Sequence, residues 1–114
     1  MDPKPLDLAT MRDTARYVLT LESALLPLGE LDVLIDTLHG HVRLLVPEVR
    51  ALIRSMPVGD VPARVARIGI EEAWRRLYTP PGPGWDATFR HAKKVALSVN
   101  SLCDHYETLD PALR

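Results

Sequence analysis

The sequence is short of most of the residues that carry chemistry. Cysteine occurs once, at Cys103, so no disulfide can close within the chain and no Cys-x-x-Cys metal pair exists. Aromatic residues make up only 5% of the 114, and glutamine is absent. No uncharged apolar run approaches the roughly 18 residues that a membrane span needs. Neither sign of charge dominates, because 14 basic and 15 acidic residues leave a net charge of −1. That balance gives no electrostatic case for nucleic acid or an anionic membrane. The segment MDPKPLDL lacks the apolar core of a signal peptide. These absences lead us to expect a cytoplasmic protein without a membrane segment. Glu-x-x-His occurs nowhere, so a carboxylate di-metal bundle has no ligand set. HExxH, GxSxG and a Gly-rich phosphate loop are also missing. We therefore expect no metal and no cofactor.

What the chain does have is helical periodicity. Its length suits one domain over residues 1–114 with a modest core. Pro27-Leu28-Gly29, Met56-Pro57-Val58-Gly59 and Thr79-Pro80-Pro81-Gly82-Pro83-Gly84 break it. The segments between them repeat every three or four residues, and none alternates like a strand. The predicted helices run from Leu8 to Leu26, Glu30 to Ser55, Val61 to Tyr78 and Trp85 to Leu109, with Asp7 and Asp60 as N-caps. Short connections favour an all-α fold, an antiparallel up-down four-helix bundle. The seam of the second helix is Leu31, Ile35, Leu38, Val42, Leu45, Val49, Leu52 and Met56. Pro47 falls inside that helix and should kink it, since it removes a backbone donor and crowds the preceding turn. Glu22 falls among the apolar positions of the first helix, including Leu25 and Leu26. It either snorkels to water or is a buried acid.

The stretch HGHVRLLVPEV at 39–49 raises the question of a site. His39 and His41 face apart on a helix, so they make a poor chelate. His41 and Glu48 share one flank of the seam, about 10 Å apart. They are the candidate acid/base pair of a pocket at the Pro47 bend, with Trp74, His105 and Tyr106 as candidate ligand contacts. CDHYE at 103–107 is dense in reactive types, but helical rotation scatters them, and Cys103 reads as a small core residue. Counting outward from the connections offsets this cluster from His41 and Glu48 by one to two turns. The arginines of the third helix are interleaved with Glu71 and Glu72, so the i,i+4 pairs Glu71–Arg75 and Glu72–Arg76 read as a solvated face. Nucleic-acid binding is not expected from them.

Three blocks carry a family resemblance: PLDLATMRDTAR at 5–16, LHGHVRLLVPEV at 38–49 and SVNSLCDHYETL at 98–109. Together they resemble a small actinobacterial all-helical family of uncharacterised function, loosely labelled natural-product biosynthesis proteins. The resemblance implies a link to secondary metabolism and no assigned activity. His41, Pro47, Glu48, Asn100, Cys103, Asp104, His105, Tyr106 and Glu107 are the family-like positions. The middle segment IGIEEAWRRLYTPPGPG departs most from the pattern.

A second apolar stripe on the back of the second helix tips the balance between readings. Val33, Leu44 and Ala51 lie there with Gly40, which allows close backbone approach, and Leu97 of the fourth helix is a candidate extension. The sequence thus points to a non-enzymatic association, accessory or regulatory protein, acting as a homodimer or with a protein partner. The alternative is a small-molecule binder or small enzyme using His41 and Glu48.

Overall fold

The computed structural model describes residues 6–22 and 26–113. Four helices, α1 (Leu8–Thr20), α2 (Leu28–Arg54), α3 (Val61–Tyr78) and α4 (Trp85–Leu109), are followed by a short 3-10 turn at Pro111–Leu113. No strand occurs among the described residues. Asp7 and Asp60 do cap their helices: Asp7 accepts the Thr10 amide at 3.1 Å, and Asp60 accepts the Ala63 amide at 3.0 Å. These bonds occupy donors that a helix start leaves without partners. Gly59 and Gly84, with φ of 88° and 93°, supply the left-handed backbone that the two later connections require.

The first helix is shorter than expected. Leu21 turns extended and its amide bonds to the Val18 carbonyl, which ends α1 at Thr20. Lys93 of α4 then reaches across to the carbonyls of Leu19 and Leu21, at 3.0 and 2.6 Å. A cation placed on terminal carbonyls favours a stop there. Glu22 is exposed, which settles its reading as a solvated carboxylate. Leu25, assigned to the same apolar face, lies outside the described residues.

The core is where the periodicity put it, with one drift. Leu31, Ile35, Leu38, Val42, Leu45 and Val49 of α2 are buried, but Leu52 and Met56 are only half-buried, and Val46 and Ile53 take their place. A straight helix turns every 3.6 residues, so a seam stepped in fours and threes slides sideways over 27 residues. Ala63, Ala66, Ile70, Ala73 and Leu77 form the buried face of α3. On α4, His91, Ser98 and Leu109 are buried beside the expected positions.

Helix α4 packs on each of the other three, and its broadest contact is with α2, while α1 and α3 do not touch. Cross-links fix the heights. Arg12 near the start of α1 pairs with Asp104 at 2.7 Å and with Glu107, near the end of α4. Trp85 donates to the Leu26 carbonyl at 2.9 Å and stacks on Phe89. Arg76 of α3 donates to the Lys94 carbonyl and to Ser98 Oγ, both at 3.0 Å.

Two neighbours on α2 test this placement. Leu45 is fully buried and Leu44 is 56% exposed. Leu45→Ala should cost about 2–5 kcal/mol through the cavity it leaves. Leu44→Ala should cost under about 1 kcal/mol where the chain is monomeric. Urea denaturation of both at low protein concentration checks this, and equal losses would mean α2 is enclosed all round.

Candidate functional site

The residues singled out in the sequence occupy several separate places. His41 is half-buried on the flank of α2 nearest the start of α1, and its Nδ1 is buried without a hydrogen-bond partner among the described residues. Burial holds this imidazole below its usual value, with the Asp7 charge opposing. Glu48 is exposed. Trp74 stacks on Tyr78 at 5.4 Å between ring centres, and the Arg50 guanidinium of α2 lies 5.8 Å over its ring. His105 bonds with Ser101 Oγ at 3.2 Å and roofs Gly69, where an added Cβ would come within 2.7 Å of the ring. Trp74 thus faces the α2–α3 groove and His105 the α3–α4 groove, so they do not converge on His41.

One expected separation is smaller than counted. The Glu48 charge, after burial and Asp110, helps push the Tyr106 hydroxyl up, so the two residues lie within electrostatic reach of each other. The outward count assumed that α4 starts level with the end of α3. Instead Arg76 meets Lys94 and Ser98, and Gly69 meets Ser101 and His105. The first turns of α4 project past α3 and anchor through Trp85, which slides α4 by about two to three turns.

The rest of CDHYE packs or pairs within the bundle. Cys103 is buried, and burial pushes its thiol up to about 11, where it is a poor nucleophile at neutral pH. Asp104 and Glu107 hold Arg12. No group of three or more His, Cys, Asp or Glu side chains among the described residues could hold a metal ion.

Two features escaped the sequence. The first is a histidine pair: Nε2 of His39 and Nε2 of His91 lie 3.1 Å apart, with the rings edge-on at 83°. One imidazole must donate and the other accept, so both cannot be charged. The partners are 52 residues apart and on different helices, and only the packing of α2 on α4 brings them together. The second is a cleft of about 500 Å³ where α3 ends and α4 begins, lined by Arg75, Arg76, Arg90, Lys94 and His91 with Glu72. The expected Glu72–Arg76 pair forms. Arg75 instead turns to the cleft with no ion pair among the described residues, since an exposed i,i+4 pair is worth only a few tenths of a kcal/mol. Arg90 and Lys94 are four apart on α4, a spacing that signals one basic face. The cleft includes none of His41, Glu48, Trp74, His105 or Tyr106.

The outward face of α2 is open. Val33 and Leu44 are exposed, as are Pro47 and Ala51, and a Cβ at Gly40 would meet nothing within 4 Å. Leu97 is half-exposed in a groove of α3 and α4 with Gly69, Glu72 and Arg76. It lies on the side of α4 away from α2 and does not extend the stripe.

The four histidines share one electrostatic condition. Burial lowers His39, His41, His91 and His105 below 6.5; His91 and Arg43 add to the effect at His39, and Lys94 adds at His91. The unfolded chain takes up protons on them near pH 6.5, and the folded chain only at lower pH. Stability is therefore complete above about pH 6.5 and falls as pH drops from there through the depressed folded values. We expect a lower urea midpoint at about pH 5.5 than at about pH 7.5. His39→Gln/His91→Gln should flatten that slope, and a wild-type midpoint indifferent to pH would contradict the assignment.

Comparison with known proteins adds a lineage. No curated protein and no solved structure matches the chain. Residues 9–111 match a family whose function is unknown. The match takes in all four helices, and the chain belongs to that family, DUF6415.

Proposed function

We propose that this protein is a cytoplasmic, non-enzymatic accessory or regulatory protein of actinobacterial secondary metabolism, and that it works as a two-fold homodimer built on the outward face of α2. The metabolic link rests on the resemblance of the blocks at 5–16, 38–49 and 98–109. The non-enzymatic role is supported by the dispersal of the reactive side chains over separate grooves. The observation that carries the dimer is the pattern along α2. Val33, Gly40, Leu44, Pro47 and Ala51 form its open apolar ribbon. Along one edge of that ribbon run Asp32 and Asp36, then Arg43 and Arg50. The acids precede Gly40 and the bases follow it. A second copy running the opposite way about Gly40 sets Asp36 against the partner's Arg43. The same two-fold sets Asp32 against the partner's Arg50. An antiparallel helix pair keeps like edges together, so one patch complements itself.

The bundle is read here as up-down and antiparallel. The link from Arg12 to Asp104 and Glu107, and that from Lys93 to Leu19 and Leu21, support this reading for α1 against α4. Pro47 bends α2 in the same reading. The helix continues through Pro47 to Arg54, and the ring crowds the Arg43 carbonyl on the solvent side.

Analytical ultracentrifugation tests the dimer. Leu44→Glu should yield monomer with unchanged helicity, because the dimer would have to desolvate the new charge. Arg43→Asp should weaken association by about tenfold or more, and adding Asp36→Arg should restore it. A wild-type chain that sediments as a monomer at about 100 μM would overturn the proposal. Separately, Pro47→Ala should stay folded and straighten α2, which solution scattering and residual dipolar couplings can follow.

A further inference from the structure

The basic cleft at the α3–α4 connection is independent of the α2 face, and it has a chemistry of its own. Four cationic side chains line it against one carboxylate, in a chain whose net charge is −1. The carboxylate, Glu72, is already spent on Arg76. Arg76 is also held by the Lys94 carbonyl and by the buried Ser98 hydroxyl. It is a fixed strut of the wall. Arg75, Arg90 and Lys94 make no ion pair among the described residues. Like charges gathered around one concavity repel each other, and an anion between them relieves that repulsion. The start of α4 opens on the same space: Gly84 brings no side-chain acceptor to cap the first amides, Ala87 of the first turn lines the cleft, and the acidic Asp86 of that turn is exposed and not among the lining residues. Uncapped amides at a helix start favour an oxyanion.

We propose that this cleft binds a phosphorylated small molecule. Two guanidinium forks and an ammonium offer more donors than the two oxygens of a carboxylate accept, whereas the outer oxygens of a phosphate ester match them. A volume of about 500 Å³ also exceeds what a bare phosphate fills. Pro80 and Pro81 form a stiff apolar wall for the organic part of the ligand.

Calorimetric titration of the full chain with pyrophosphate tests the site, against sodium chloride of equal ionic strength. Saturable one-to-one binding is expected. Arg75→Gln/Arg90→Gln should weaken it by about tenfold or more, since each lost bond involves a charged partner. Arg64→Gln/Arg67→Gln removes the same charge from the other end of α3 and should change it by less than about twofold. Circular dichroism of each variant confirms that it is folded. No saturation up to about 10 mM pyrophosphate would overturn the proposal. So would equal weakening by the two double variants, which would show general charge attraction only. A duplex oligonucleotide that binds and is not displaced by pyrophosphate would overturn it in favour of a nucleic-acid surface.

Discussion

Helix α4 can lie in the middle of this fold because its side chains are small where helices cross. Ala92, Ala96, Val99 and Cys103 are fully buried along it, and Ala63, Ala66 and Ala73 answer from α3. Small side chains let helix axes approach, and dispersion over many short contacts replaces the few large ones that an aromatic core would provide. With α2 drawn onto α4, the other diagonal opens: α1 and α3 sit on opposite sides and never meet. The molecule is accordingly flattened, 46 × 31 × 22 Å. The flattening has a direct consequence. A helix whose inner face is taken by α4, with α1 and α3 on its flanks, keeps an outer face that no other described helix covers. The open ribbon on α2 follows from the size of side chains on α4.

The same close approach lowers the proton affinity of the histidines. Each of the four sits at a helix crossing or flank, half-buried or deeper, where a charged ring would lose hydration. His91 is 8% exposed and has only another imidazole at its Nε2. His105 fills the space that Gly69 leaves. These rings act as packing pieces with a polar rim, and burial disfavours their charged form.

Most of the fold was legible because helical burial is written in a local period. The bounds of α3 and α4, both aspartate caps and the seam of α2 from Leu31 to Val49 need only residues a few positions apart. What was not legible depends on the third dimension. The end of α1 at Thr20 is set with help from Lys93, more than seventy positions on. The slide of α4 past α3 depends on Trp85 finding the Leu26 carbonyl, and no spacing rule encodes it. The His39–His91 pair and the basic cleft each draw on two helices, so their members looked ordinary alone. His41 and Glu48 share a flank of α2 without a common partner among the described residues, His41 half-buried and Glu48 exposed.

The two open surfaces are distinct, yet they border the same pair of rings. His39 belongs to α2, and its proton affinity responds to Asp36 and Arg43, the charges on the edge of the apolar ribbon. His91 belongs to α4, lines the basic cleft, and responds to Lys94. A partner that neutralises Arg43 removes a cation that disfavours protonation of His39. An anion in the cleft does the same for His91 by offsetting Lys94. Because the two Nε2 atoms share one hydrogen bond, only one of these rings can take the extra proton without breaking it. The two surfaces thus border one hydrogen bond between α2 and α4, whose donor and acceptor are set by which ring holds the proton.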